Sequence, residues 1–141
     1  MTLICQVVLF SFKPDVSEED LAELWSKMAS LREDCLKPNE TKPYIRSMRF
    51  GIDHAKFKLD VRQTLPPKPK ATWNAVARLT LIKSIQETIT HALITEFENE
   101  EDRRYFMDHD PAHLSISALG KKVFSQLHVL AYVPGSGIGT R

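Results

Sequence analysis

The sequence has only two cysteines, no surplus of charge of either sign and no apolar run long enough to cross a bilayer. Cys5 and Cys35 are too few for a disulfide framework, so a reducing, cytoplasmic location is expected. The 19 basic and 18 acidic residues give a net charge of +1, which argues against nucleic acid or a membrane surface as a partner. The apolar stretch 3–12 follows no basic residue and precedes no small-residue cleavage site, so it is not expected to be a secretory signal.

Motifs that identify common catalytic classes are also missing. The sequence contains no phosphate-binding glycine loop, no nucleophile elbow and no paired-cysteine motif. His109 and His113 have the spacing of two metal ligands on one helix face, but Asp110 and Pro111 begin a helix between them. We therefore expect neither a metal nor a cofactor.

Helix caps and hydrophobic periodicity define the elements that are present. Ser17, Asn99 and Asp110 are suited to cap helices, and Asp110 precedes a proline at the first helical position. Alternating or continuous apolar residues identify the strands. The predicted elements are strand 3–12, helix 16–36, strand 44–52, strand 90–97, helices that start after Asn99 and Asp110, and strand 123–133.

This order predicts an α+β fold, a ferredoxin-like antiparallel sheet with helices on one face. Residues 1–134 are expected to form one domain and 135–141 a flexible tail. Residues 53–86 separate two strands with a basic, proline-containing insert. A solvated or disordered loop, a short helix at 73–85 and a mis-joined gene segment remain open interpretations.

The first strand is apolar on both faces, which has a consequence for assembly. One layer of helices covers only one face of a sheet. The other face, expected to expose Val8, Phe10, Leu93 and Phe97, would leave a large apolar patch in water. A homodimer that closes two sheets together is the expected remedy.

Two stretches resemble the stress-responsive A/B barrel (Dabb) family. ICQVVLFSFKPDVS is similar to that family's opening strand. Residues 90–97, followed by Glu101, Asp102, Tyr105 and the run from Asp110 to His113, resemble its signature half. The resemblance covers most of the chain outside 53–86 and implies a dimeric α/β barrel.

The resemblance extends to polyketide cyclases of the olivetolic acid cyclase type, which use a pocket in the barrel. It implies that His113, in the shared Pro-Ala-His, is a catalytic base, and that Tyr105 is the available candidate for a catalytic tyrosine. Gln6 falls where the cyclase has a histidine, and His91 falls on a second pocket histidine. The further residues expected to line the pocket are His128, Phe10 and Leu93.

The residues themselves leave two functions open. A helix N-terminus disfavours the charged imidazole, so His113 is suited to accept a proton near pH 7. In that case the resemblance implies a cofactor-free, lyase-like enzyme that acts on a polyketide-like small molecule. If His113 only packs locally, the chain is instead a non-catalytic dimeric barrel, a stress-associated binding or structural protein.

Overall fold

The computed structural model describes residues 2–54 and 89–135, which contain four strands and three helices. Most of the insert predicted at 53–86, the helix suggested for 73–85 and most of the predicted tail lie outside these residues. None of the described helices is both long and apolar enough to cross a membrane.

The observed elements follow the predicted order, and each strand end and helix start lies within two residues of its prediction. The sheet strands and helices are β1 (Ile4–Phe12), α1 (Glu18–Asp34), β2 (Ile45–Ile52), β3 (His91–Phe97), α2 (Glu100–Asp108), α3 (Pro111–Val123) and β4 (Phe124–Tyr132).

Side-chain caps set the starts of the helices, as the sequence predicts. Ser17 Oγ accepts the backbone N–H of Asp20 at 3.1 Å at the start of α1. Asn99 Oδ1 accepts the backbone N–H of Asp102 at 2.8 Å at the start of α2. Each bond satisfies an N–H group that has no partner within the helix, which explains why these helices begin where they do.

The four strands form one sheet in the order β2-β3-β1-β4, with every neighbouring pair antiparallel. β1 therefore lies inside the sheet, between β3 and β4. Strands β1 and β2 are joined through α1 and separated by β3, which is the split βαβ arrangement of a ferredoxin-like fold. The predicted fold class is confirmed.

The helices cover the sheet face that carries the large side chains of β1 and β3. Phe10, Leu93 and Phe97 are 1%, 8% and 0% exposed, and they pack with buried residues of α1, α2 and α3. The expectation that this face, including Val8, would be the open one is wrong. Both helical crossovers have the same handedness and so lie on the same side of the sheet, where these side chains point.

The opposite side of the sheet, here called the outer face, carries the alternate residues. In β1 these are Val7 and Leu9, which pair in register with Ile94 and Ala92 of β3. Leu130 of β4 pairs with Val7 and is 62% exposed. The outer face is therefore apolar along its centre, and none of the described helices covers it.

Candidate functional site

A cavity of about 400 Å³ lies between the helices and the sheet face that they cover. Its walls come from three strands and all three described helices, and most of them are apolar. Phe10 and Leu93 are among the lining residues, as expected from the sequence. The polar side chains of the lining are Gln6, His113, Ser117, Lys121, Ser125 and Gln126.

The start of α3 places His113 in this cavity. Asp110 caps the helix with Oδ1, which accepts the backbone N–H groups of Ala112 at 2.9 Å and His113 at 3.1 Å. The imidazole packs on the Phe106 ring with 4.0 Å between the ring centroids. Its Nε2 lies 3.4 Å from Ser117 Oγ, one helical turn further along. Cap, ring contact and hydroxyl together fix the orientation of the imidazole.

Burial lowers the pKa of His113, and two weaker effects oppose it. These are the negative charge of Asp110 and the backbone carbonyl of Phe106, which favours a proton on the ring. Nδ1 is buried and has no hydrogen bond of good geometry within the described residues. The ring is therefore neutral near pH 7 and able to accept a proton. Burial, rather than the helix end invoked from sequence, is the main cause.

Gln6 is another polar group in the cavity lining, and it is 2% exposed. Arg103 Nη1 donates to its Oε1 at 3.3 Å, which fixes the amide orientation because a guanidinium can only donate. The amide nitrogen then faces Met107 Sδ at 3.6 Å, a weak acceptor. Gln6 therefore has an N–H group that a ligand oxygen would bind better than the sulfur does.

His91 lies outside the cavity lining, in an aromatic cluster under α1. Its ring stacks on Phe10 with centroids 5.3 Å apart and contacts Trp25 at 5.5 Å. Its Nδ1 lies 2.7 Å from Thr90 Oγ1. Burial lowers the pKa of His91 as well. The structure thus gives His91 a packing role at the start of β3 and does not bring it together with His113.

Tyr105 and His128 also lie away from the cavity. Tyr105 packs edge-on against Tyr44, with 5.6 Å between the centroids, and is absent from the lining. His128 pairs in register with Leu9, which places it on the outer face. The expectation that His128 lines the pocket is wrong, because alternate residues of a strand point to opposite faces.

A buried polar cluster beside the cavity was not foreseen from the sequence. Asp110 is 0% exposed, and Tyr44 donates its hydroxyl proton to Asp110 Oδ2 at 2.6 Å. Cys35, also 0% exposed, adjoins both side chains. Asp110 was recognised only as a helix cap. The cap motif shows a local bond but carries no signal that distant residues bury the carboxylate.

Metal binding has no evident place in the part of the chain that the structure describes. His109 follows the end of α2 and is exposed, whereas His113 lies in the cavity. Within residues 2–54 and 89–135, no group of three or more His, Cys, Asp or Glu side chains is arranged to hold a metal ion.

Comparison with known proteins gives matches only at the level of structure. No protein-family model and no curated protein matches the sequence. A hydroxynitrile lyase from Passiflora edulis is 15% identical over 96% of this chain and 95% of its own, with a TM-score of 0.63.

Two further solved structures show the same similarity. A dimeric ferredoxin-like protein of unknown function from Thermobifida fusca is 13% identical, with coverage of 94% and 91% and a TM-score of 0.59. A Dabb family protein with a ferredoxin-like fold from Mesorhizobium loti is 12% identical, with coverage of 95% and 98% and a TM-score of 0.55. At these identities the similarity establishes the ferredoxin-like fold.

Proposed function

We propose that this protein is a dimeric barrel of the stress-responsive A/B barrel (Dabb) type, and that it acts as a cofactor-free, polyketide cyclase-like enzyme with His113 as general base. The sequence motifs and the fold shared with a Dabb family protein support the family assignment. The observation that carries the enzymatic part is a neutral, oriented His113 in the wall of a largely apolar cavity.

The substrate class follows from the composition of the cavity. A volume of about 400 Å³ is within the range of small-molecule sites, and apolar walls bury a carbon chain favourably. A polyketide-like molecule combines such a chain with carbonyl groups, whose oxygens need hydrogen-bond donors. Gln6 supplies one N–H group, and its burial strengthens that bond.

The chemistry we propose is removal of a proton from a carbon next to a carbonyl. His113 takes the proton, the C–H bond breaks, and the electron pair moves to the carbonyl oxygen as an enolate. Gln6 donates a hydrogen bond to that oxygen, where negative charge develops. Attack of the enolate carbon on a second carbonyl of the same chain closes a ring, and His113 returns the proton. Gln6 thus takes the place of Tyr105, the catalytic tyrosine expected from the resemblance, because Tyr105 lies outside the cavity lining.

The dimer we propose uses the outer face. Val7, Leu9, Ile94 and Leu130 form an apolar strip that spans the three strands from β3 to β4. A strip of this kind is unfavourable in water and is self-complementary across a two-fold axis. A dimeric ferredoxin-like protein shares the fold, which supports the same assembly. A cytoplasmic location is part of the proposal, and both cysteines are free thiols.

One observation favours the alternative, a binding barrel without catalysis. His113 is the only histidine in the cavity lining among the described residues, and neither His91 nor Tyr105 accompanies it. In this case the cavity holds an apolar ligand, and His113 closes its wall. The two functions differ in whether a bound ligand is converted.

The test is incubation of the purified protein with poly-β-keto thioesters and analysis of the products by mass spectrometry. We expect His113→Ala to lower turnover by roughly two or more orders of magnitude while the protein stays folded. His91→Ala should reduce turnover much less, because His91 lies outside the cavity lining. His109→Ala is the matched control, since His109 is exposed and outside the lining.

Two results would change the proposal. Full turnover by His113→Ala on a confirmed substrate would remove the general-base role. Binding of an apolar fluorescent probe in the cavity, without conversion of any substrate tested, would favour the binding barrel.

A further inference from the structure

We propose that Asp110, held in place by Tyr44 and Cys35, is the positioning and electrostatic partner of His113. The carboxylate fixes where the imidazole sits and stabilises the positive charge that forms when the ring accepts a proton. The catalytic role of Asp110 rests on the proposed function, whereas the electrostatic coupling between Asp110 and His113 is a property of the folded protein.

The geometry of Asp110 is unusual for a helix cap because the carboxylate is fully buried. One oxygen accepts the two backbone N–H groups at the start of α3, at 2.9 and 3.1 Å. The other accepts the Tyr44 hydroxyl at 2.6 Å, next to the start of β2. Each of these partners is a donor, which suits an ionised carboxylate. Asp110 therefore ties the helix that carries His113 to the sheet.

Tyr44 and Cys35 keep their protons and so remain donors. Burial is the main cause that raises the pKa of Tyr44 far above its ordinary range, and its bond to Asp110 adds to the effect. Burial likewise raises the pKa of Cys35, followed by the charge of Asp110. Cys35 caps the C-terminus of α1, where its N–H bonds to Leu31 at 3.0 Å. Asp110 is thus the point where α1, β2 and α3 meet.

Asp110 is also the charged group that acts on His113. The other side chains that line the cavity are neutral apart from the exposed Lys121, and the charged Arg103 lies next to the lining, where it is bonded to Gln6. From the elements packed around the cavity these are the Phe106 ring and carbonyl and Met107 from α2, Gln6 from β1, Met28 and Leu31 from α1, Ser117 and Lys121 from α3, and Ser125 and Gln126 from β4. A buried negative charge close to the imidazole favours its protonated form, and the interaction is strong because water is excluded.

The experiment measures the pKa of His113 by NMR titration of the imidazole signals, assigned with His113→Gln. Asp110→Asn keeps a good helix cap but removes the charge, so the pKa of His113 should fall further below its wild-type value. Tyr44→Phe removes the donor that neutralises part of the carboxylate charge, so the pKa of His113 should rise. Tyr132→Phe is the matched control: it removes a hydroxyl from the outer face and should leave the pKa unchanged.

A merely structural role gives a different pattern. Loosening of the site would move the pKa of His113 up, toward its ordinary value, in both variants. A rise or no change in Asp110→Asn, with cooperative unfolding retained, would therefore overturn the proposal. In the double variant, Tyr44→Phe should add nothing to Asp110→Asn, because its effect passes through the carboxylate. A full Tyr44→Phe shift in the double variant would also overturn it.

If Asp110→Asn does not fold, Asp110→Ser takes its place, because serine also caps a helix and carries no charge. A rise or no change in the pKa of His113 in that variant again overturns the proposal. The titration needs no substrate, so it is independent of the proposed reaction. Loss of turnover in His113→Ala together with an unaltered pKa in these variants would remove only the role of Asp110. The expected pKa shifts in these variants, together with full turnover in His113→Ala, would exclude only the proposed enzymatic function.

Discussion

Replacement of Leu130 by glutamate should convert the proposed dimer into a monomer. Leu130 is 62% exposed on the outer face. Complete burial of a leucine contributes about 1.5–3 kcal/mol, so covering its exposed part contributes about 1–2 kcal/mol. An isologous dimer uses each such contact twice, which gives about 2–4 kcal/mol. A carboxylate without a partner in an apolar interface adds a penalty of several kcal/mol. The sum exceeds about 5 kcal/mol and raises the Kd by roughly a thousandfold or more.

The assay is light scattering at micromolar concentration, with circular dichroism to confirm that the variant is folded. Leu114→Glu is the matched control, because Leu114 is 43% exposed but lies on α3, away from the outer face. We expect Leu114→Glu to stay dimeric. A monomeric wild-type protein would refute the dimer, and a dimeric Leu130→Glu variant would refute the outer face as its interface.

Three further predictions concern stability and chain connectivity. The free energy of unfolding should fall as the pH drops below about 6.5. Burial lowers the pKa of His91 and His113 in the folded state, so the unfolded chain binds more protons in this range. Urea titrations should show that the free energy of unfolding depends less on pH in a variant with both histidines replaced by glutamine. Gly120→Ala should lower the melting temperature, since the added Cβ would lie 2.7 Å from the Phe124 ring. The overpacking costs about 1–3 kcal/mol and outweighs the gain in helix propensity of about 1 kcal/mol. A higher melting temperature would show that the ring moves without cost. Deletion of residues 54–84 should preserve the far-UV dichroism and the dimer. β2 ends beside the start of β3, so the short link left by the deletion can connect the two strands. Precipitation of the deletion variant would contradict this.

Much of the fold was predictable because its signals act over a few residues. The caps at Ser17, Asn99 and Asp110 each bond to a backbone group two or three positions away, so the sequence shows both partners. Strand periodicity is equally local, and the order of the elements restricts the sheet to few arrangements. The ferredoxin-like class and the position of His113 in the first turn of α3 were accessible for this reason.

The face of the sheet that the helices cover was not accessible. β1 is apolar on both sides, so its periodicity separates two sets of residues without saying which set is inside. The prediction chose the wrong set as open, and His128 was assigned to the pocket although it lies on the outer face. The resemblance grouped His91 and Tyr105 with His113, but the structure leaves both outside the cavity lining.

The amino-acid sequence by itself determined the elements, the strand ends and the helix starts, including the one that carries His113, because each depends on neighbours within one turn or one strand. The tertiary structure alone decided which of these residues share a cavity and which are buried. Tyr44 and Asp110 are 66 residues apart in the chain and meet at 2.6 Å only because α1, β2 and α3 converge. Burial is a property of the whole packing around a group, and for that reason the neutral His113 and the enclosed carboxylate beside it appear only in the folded protein.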